Sequence, residues 1–351
     1  MKLQTCLLLP VAVLATTLAL PGAETATNSI QLVPAGKRGA TMQYPSFGSV
    51  ERLNPQMDKL VPKGATLEKL AEGFKWSEGP VWLGDRLVFS DVPANIVYQW
   101  QPLGGLSVFL QPRGFTGAAG RNGESGSNGL GRDAQGKLLL CQHGDRRVAR
   151  LNARGQFESV AEFYKWYRFN SPNDLAVKRN GDIYFTDPPY GLEKGADDSK
   201  RELPFYGVFR VNPKGIVTLL TNELTRPNGI AFSPDEKTLY VANSDPLKPL
   251  WMAYPVLPDG TLGAGRVFFD AAKLAQERKG GCDGLKVDKA GNLFATGPGG
   301  ILVISPQGQH LGTIMTGVPT ANCAWGGDGK TLYITANHWL CRITTSTQGK
   351  P

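Results

Sequence analysis

The chain has 351 residues, of which 41% are apolar, with 43 glycines and 25 prolines; this composition is typical of turn-rich β proteins rather than helical ones. It carries 38 basic and 30 acidic residues, a formal net charge of +8. The basic residues are scattered and are not interleaved with aromatic ones, which argues against a nucleic-acid partner. The length allows one large domain or two ordinary ones.

The first residues predict an export signal. Lys2 precedes an almost wholly apolar or small run over residues 6–20, and small residues after Pro21 offer cleavage sites. The run is short for a membrane span and no second long apolar segment follows it, although an uncleaved anchor is an alternative. We therefore predict a signal peptide over residues 1–25, export to the periplasm or outside the cell, and no membrane association after cleavage.

From residue 46 onwards, one pattern occurs six times: a polar residue, a short apolar strand, a polar turn and a second β-rich strand. The leading polar residues follow one another at intervals of 39 to 55 residues. Repeats of this length with three or four strands each are typical of β-propeller blades, because the small sheet of one blade buries its faces only against neighbouring blades. We call these six residues the lead residues: Glu78, Asn128, Asn173, Asn228, Asp283 and Asn322.

The repeats predict an all-β fold, a six-bladed β-propeller with a divalent metal in its central channel. We expect a single domain over residues 46–348, after an irregular lead-in over residues 26–45. The β-rich run over residues 66–74 precedes the first repeat, and we expect it to supply the outer strand of the last blade and close the ring. A two-domain β protein is the alternative.

Four cysteines follow the predicted signal, and none belongs to a C-x-x-C pair, so the spacing of zinc sites is absent. Export would permit disulfides. Cys323 and Cys341 lie in one repeat and could pair, whereas buried free thiols are the alternative. The sequence leaves both open.

The metal prediction follows from propeller geometry. The innermost strand of each blade lines the channel, so the lead residues converge at one mouth. Carboxylate and amide oxygens are hard donors that suit Ca²⁺ or another hard divalent ion. Without a cation, two inward carboxylates would repel each other and lose hydration. The alternative is that Asn-Gly and Asp-Gly only form turns. Glu78-Gly-Pro, Asn173-Asp and Asn322-Cys break that turn pattern but keep the register, which favours the metal site.

The motifs EGPVW, SNGL, SPNDLAV, RPNGIAFSPDEKTLYV, DGLKVD and NCAWGGDGKTLYIT occur in this order. With them, residues 48–345 resemble the SMP-30/gluconolactonase/regucalcin-like family, and within it most resemble the bacterial gluconolactonase branch. The resemblance implies a six-bladed propeller with a divalent ion in its channel, usually Ca²⁺, while Zn²⁺, Mg²⁺ and Mn²⁺ also support activity in relatives. By resemblance, Glu78, Asn173, Asn228 and Asp283 match the metal-binding positions.

The chain departs from the animal branch of that family just before Asn173. The animal pattern places a substrate-binding arginine two positions before this asparagine, where the present chain has Ser171; the nearest upstream arginine is Arg168. The substrate contacts of the animal enzymes are therefore not transferred.

The resemblance implies hydrolysis of a sugar lactone to an aldonic acid. A bound ion would polarise the ester carbonyl and lower the pKa of a water, and a carboxylate would then take a proton. Asp283 is the first candidate for this catalytic role and Glu78 the second. The alternatives are hydrolysis of another lactone or of an organophosphate ester, and a non-catalytic calcium-binding propeller that recognises a carbohydrate or a protein. We expect a monomer or a weak homodimer.

The candidate substrate-binding residues are Asn128, Asn322, Asn173, His143 and Arg113. The asparagines are candidates for hydrogen bonds to sugar hydroxyls. His143 follows the second strand of the second repeat, where a structural role is the alternative to a role as base. Arg113 lies in a glycine-rich segment over residues 111–127, which we expect either to cover the channel mouth or to form a surface loop.

Overall fold

The computed structural model describes four stretches of the chain: residues 31–32, 44–112, 114–118 and 121–351. The predicted signal peptide over residues 1–25 lies outside them, as do most of the predicted lead-in over residues 26–45 and Arg113. The domain boundaries therefore stay a prediction. Among the described residues, no helix has the length and hydropathy that a membrane-spanning helix needs.

Short elements precede the first blade. They are β1 Gln31–Leu32, β2 Ser46–Phe47, β3 Ser49–Arg52, the helix α1 Met57–Leu60 and β4 Leu67–Glu72. Each of them except α1 pairs with a strand of the propeller or with another element of this segment.

The first three blades are antiparallel sheets whose strands follow one another in chain order from the channel outwards. A two-stranded hairpin lies between the second and third blades, and a 3-10 turn over Gly195–Asp197 lies within the third. The strands are β5 Ser77–Trp82, β6 Leu87–Asp91, β7 Ile96–Gln101 and β8 Gly105–Leu110; β9 Ser127–Arg132, β10 Leu138–Gln142, β11 Arg147–Leu151 and β12 Phe157–Ala161; the hairpin β13 Phe163–Tyr164 and β14 Tyr167–Arg168; and β15 Leu175–Val177, β16 Ile183–Asp187, β17 Gly207–Val211 and β18 Val217–Thr221.

The remaining blades repeat this order, and the short helix α2 Ala272–Glu277 connects the fourth to the fifth. Their strands are β19 Pro227–Phe232, β20 Thr238–Asn243, β21 Leu250–Pro255 and β22 Arg266–Asp270; β23 Leu285–Val287, β24 Leu293–Gly297, β25 Gly300–Ile304 and β26 His310–Met315; and β27 Asn322–Gly326, β28 Thr331–Ala336 and β29 Trp339–Thr344.

The blades form a closed ring. Each innermost strand contacts the innermost strands of both neighbouring blades, and β27 of the sixth blade contacts β5 of the first. The six innermost strands therefore surround one central channel, and the predicted six-bladed β-propeller is confirmed.

The N-terminal segment closes the ring. Strand β4 pairs antiparallel with β29, with Glu72 opposite Trp339 and Ala71 opposite Leu340. It is therefore the outermost strand of the sixth blade, as the run over residues 66–74 predicted. Strand β3 pairs with β26 and gives the fifth blade a fifth strand, which the sequence did not predict.

Buried aromatic and aliphatic side chains fill the spaces between blades. In one such cluster, Phe169, Phe185 and Phe209 of the third blade pack with Leu139 and Val148 of the second, and the three ring centroids lie 5.0 to 5.6 Å apart. Such aromatic packing contributes beyond the area it buries and holds neighbouring sheets at a fixed distance. The blades thus form a rigid support for the residues at the channel mouth.

The four cysteines among the described residues are free and buried. Cys323 on β27 and Cys341 on β29 are separated by β28, which pairs with both strands. Residues on strands separated by a third strand are too far apart for a disulfide. Of the two alternatives, the structure therefore shows buried free thiols and no disulfide between Cys323 and Cys341.

Candidate active site

The six lead residues occupy the same end of the innermost strands. Four lie within the first two residues of their strand, and Asn173 and Asp283 lie two residues before theirs. None of them forms the turn between two strands of a blade. The turn-only interpretation therefore does not describe the structure.

A β-bulge lies at the lead residue or directly after it in three blades. In the first blade Glu78 is opposite Ser90, but Val81 is opposite Val88, so the innermost strand carries one extra residue. The second and fourth blades also carry one extra residue, but there the shift lies between Ser127 and Leu130 and between Pro227 and Ile230, so the bulge includes the lead residue itself. A bulge breaks the alternation of side chains and changes the direction in which the residue before it points. The bulge therefore allows the side chain of the lead residue to point in a different direction from the side chains of the strand that follows.

Glycines after the lead residues allow the blades to approach closely at this mouth. A Cβ atom on Gly79 would lie 2.2 Å from the carbonyl oxygen of Asn128, the lead residue of the next blade. A Cβ atom on Gly229 would lie 2.2 Å from the carbonyl oxygen of Asp283 in the same way. The close packing of neighbouring lead residues explains these glycines, since only a residue without a side chain fits.

Hydrogen bonds connect lead residues across the channel. The Asn322 Nδ2 group donates to Glu78 Oε2 at 3.2 Å and to Asp174 Oδ2 at 3.3 Å, which joins the sixth, first and third blades. The oxygen of the same amide group, Asn322 Oδ1, accepts a hydrogen bond from Lys286 Nζ at 3.3 Å. The side-chain amide of Asn228 hydrogen-bonds the carboxylate of Asp283.

Three carboxyl groups share this poorly hydrated site. Burial, followed by the neighbouring charge of Asp174, raises the pKa of Glu78 to about 8. Asp283 keeps some exposure at the mouth, yet loss of hydration and the charge of Glu78 raise its pKa well above its usual range. Burial also raises the pKa of Asp174, and the Lys286 ammonium opposes that rise. The site thus favours an additional cation.

Unpaired amide oxygens point to the same conclusion. Asn128 Oδ1 and Asn173 Oδ1 are buried and have no hydrogen-bond partner among the described residues. Buried polar atoms without a partner are uncommon, and oxygen atoms beside carboxylates are the donors that hard divalent ions prefer. The described residues contain no group of three or more His, Cys, Asp or Glu side chains arranged to hold a metal. An ion here would therefore need amide oxygens of lead residues together with Glu78 and Asp283.

The glycine-rich segment over residues 111–127 contributes to the same region. His143 directly follows β10 and is fully buried, and its Nδ1 atom lies 3.4 Å from Glu124 Oε2. Neither ring nitrogen of His143 has a hydrogen bond among the described residues. The charge of Glu124 also raises the pKa values of Glu78 and Asp283. The segment thus brings a carboxylate close to the site.

The structure brings Glu78, Asp283 and Asn322 into one interacting group, as the repeats predicted. Sequence reasoning did not single out Glu124 or Lys286. Asp174 was visible only as the neighbour of Asn173, and nothing in its local pattern showed that its carboxylate faces Asn322. One feature of the sequence distinguishes Lys286. It is the third residue after a lead residue, and it is charged, whereas the other five blades place Val, Gly, Ala, Ala and Trp at the same position.

Comparison with known proteins identifies the family. The model of the SMP-30/Gluconolactonase/LRE-like region matches residues 76–338. The chain belongs to this family. It is 39% identical to a gluconolactonase of Zymomonas mobilis subsp. mobilis over 97% of each chain. The resemblance inferred from the motifs is therefore confirmed.

Solved structures agree with this assignment. A gluconolactonase of Xanthomonas campestris has 32% identity and a TM-score of 0.75, covering 89% of this chain and 98% of that one. A calcium-binding regucalcin of Agrobacterium tumefaciens has 20% identity and a TM-score of 0.63, covering 88% and 96%, and supports the fold alone.

Proposed function

We propose that this protein is a metal-dependent lactonase that opens a sugar lactone of the gluconolactone type to the aldonic acid. The observation that carries the proposal is the convergence of Glu78, Asp174 and Asp283 with unpaired amide oxygens at one channel mouth. Family membership and the 39% identity to a gluconolactonase support the reaction class.

The residues that would hold the ion are Glu78, Asn173, Asn228 and Asp283. Their donors are all hard oxygens, which makes Ca²⁺ the first candidate and Mg²⁺, Mn²⁺ or Zn²⁺ the alternatives. A divalent ion bound here supplies Lewis acidity toward an ester carbonyl and toward a water molecule.

The protein's own residues then have separate tasks. Asp283 is the first candidate for the base that takes a proton from the attacking water, because it is partly exposed at the mouth and is held by Asn228. Glu78 is the second candidate, although it is more deeply buried. Because Asn173 would serve the ion, the unpaired oxygen of Asn128 and the unpaired imidazole of His143 are the candidates for accepting hydrogen bonds from sugar hydroxyls.

Asn322 fits a positioning role better than the predicted sugar contact. Its amide nitrogen donates hydrogen bonds to Glu78 and Asp174. Its amide oxygen accepts hydrogen bonds from Lys286 and from the backbone N–H of Cys323. An amide with partners on both atoms has little capacity left for a substrate. We propose that Asn322 holds the Glu78 carboxylate in place.

We also propose that the protein acts after export and signal removal. Support comes from the apolar run over residues 6–20 and the small residues that follow it. The N-terminal residue of the protein recovered from periplasmic and medium fractions, read by mass spectrometry, tests this proposal.

The decisive experiment follows acid release from glucono-δ-lactone and a panel of small lactones. The protein is assayed after EDTA treatment and after addition of each candidate ion. We expect turnover to disappear with EDTA and to return with the native ion, and Asp283→Asn to lose turnover. Asp288→Asn is the matched control, because Asp288 is a buried carboxylate five residues further on at the opposite end of the channel. Absence of turnover on every lactone with the ion bound would contradict the proposal.

A further inference from the structure

The half of the channel opposite the candidate active site is a cavity of about 760 Å³. Residues from all six innermost strands line it, and they lie toward the far ends of those strands from the lead residues. The volume is in the range of pockets that enclose small organic ligands, about 300–1,000 Å³. Among these residues only Lys286 contacts the candidate active site, through its hydrogen bond to Asn322.

The walls of this lower cavity are largely apolar. Val81, Val177, Ile230 and Phe232 line it, and Trp325 closes one side. The Trp325 indole is 2% exposed, and its N–H has no hydrogen-bond partner among the described residues. Walls of this kind offer few partners to a polyhydroxylated acid, so the cavity does not suit the product of lactone hydrolysis. They suit an apolar body.

The rim and walls carry an excess of positive charge. Three acidic residues line the cavity, and each has its own partner. Asp133 forms an ion pair with Arg150 at 2.7 Å, and Glu236 forms one with Arg179 at 3.6 Å. Asp288 accepts hydrogen bonds from Asn292 and Thr347.

Six basic residues line the same space. Arg179 pairs with Glu236, and Lys286 donates to Asn322 and opposes the rise in the pKa of Asp174, whereas the other four form no ion pair within the described part of the chain. Low-dielectric walls concentrate the field of such charges and attract anions. These four cations are Arg132, Lys178, Lys289 and Lys350.

We propose that the lower cavity binds an amphipathic organic anion, such as an aliphatic or aromatic carboxylate or sulfonate. Its apolar body lies between the innermost strands, and its charged group faces the rim cations. The cavity is a second binding site, separate from the lactonase site, and its existence does not depend on the lactonase proposal.

The probe is 1-anilinonaphthalene-8-sulfonate, which combines an aromatic body with one negative charge. We expect saturable fluorescence enhancement, energy transfer from tryptophan, and displacement by decanoate. Lys178→Glu should weaken the affinity about fivefold or more, because it reverses a charge at an apolar mouth. The neutral analogue N-phenyl-1-naphthylamine should show no such loss. Ala176→Phe, which fills the cavity, should abolish binding of both probes.

Lys214→Glu is the matched control, since Lys214 is exposed and does not line the cavity. Lys178→Glu should keep its melting temperature and its lactone turnover, which shows that the fold and the opposite site are intact. Binding that is absent from the native protein, or equal in the native protein, Lys178→Glu and Ala176→Phe, would overturn the proposal. An Asp283→Asn protein that binds the probe normally but lacks turnover separates this proposal from the lactonase assignment.

Discussion

At the scale of single residues, Asn322 connects the two halves of the channel. It donates to Glu78 and Asp174 above and accepts from Lys286 below. The Lys286 bond fixes which atom of the amide faces the carboxylates, because an ammonium group only donates. Lys286 therefore orients a residue that holds the proposed metal ligand Glu78.

Replacement of Lys286 tests this role. Lys286→Met should lower kcat about tenfold or more, since a hydrogen bond to a charged group contributes about 1.5–3 kcal/mol. Lys286→Arg should recover part of the loss, and KM should change less than kcat. Lys289→Met is the control, because Lys289 lies just beyond the same strand and does not contact Asn322. Equal kcat values for Lys286→Met and the native protein would contradict the role.

The glycines that follow lead residues give a second prediction at this scale. Gly229→Ala would place a methyl group 2.2 Å from the carbonyl oxygen of Asp283. We expect a loss of about 1–3 kcal/mol in the free energy of unfolding, as for other overpacked sites, and weaker metal binding. Gly281→Ala is the matched control, since a Cβ atom there meets nothing within 4 Å. Urea unfolding and calorimetric metal titration measure both effects, and indistinguishable variants would refute the close-approach explanation.

At the scale of elements, the second strand of several blades ends in a side chain that holds the segment entering the innermost strand. Asp187 accepts from the backbone N–H groups of Asn170 and Ser171 at 2.8 and 2.7 Å. In the fourth blade, Asn243 accepts from the N–H of Arg226 at 2.8 Å. Such caps satisfy buried backbone donors and hold the segment that carries the next lead residue.

The pH dependence of the Asp187 cap follows from its burial, which raises its pKa from 3.8 to about 7. The carboxyl group of Asp187 therefore binds a proton more tightly in the folded protein than in the unfolded chain. Protonation of Asp187 thus stabilises the folded protein at low pH, and this contribution is lost as pH rises through 7. The free energy of unfolding of the native protein, relative to Asp187→Asn, should fall between pH 4 and pH 7. Urea unfolding at several pH values measures it, and a relative stability that rises over this window would contradict the prediction.

The repeat pattern was sufficient to predict the six blades, the register of the lead residues and the closing strand, because each depends on local alternation and on spacing. Lys286 and Asp174 were not assigned to the site because the bulges and the approach of neighbouring blades decide which side chains meet. Strand β3 was missed for a related reason. Its four residues carry no repeat pattern, and only pairing with β26 makes them a strand.

At the scale of the whole molecule, closure of the ring depends on β4. Leu70 is 1% exposed and packs in the cluster between the sixth and first blades. Leu70→Ala should reduce the free energy of unfolding by about 2–5 kcal/mol, the usual range for a buried leucine. Leu103→Ala should change it by less than about 0.5 kcal/mol, since Leu103 is 93% exposed. Equal urea midpoints for the two variants would argue against closure by β4.

Under the proposed function, one ion at the lead residues enables lactone hydrolysis. The most direct test titrates Ca²⁺ or Mn²⁺ into EDTA-stripped protein while bound ion and turnover of glucono-δ-lactone are measured together. We predict that turnover rises in proportion to occupancy and saturates at about one ion per chain, as expected for a single site, and that Glu78→Gln loses both binding and turnover. Full turnover in the stripped protein, or unchanged ion binding in Glu78→Gln, would contradict metal-dependent hydrolysis at the lead residues.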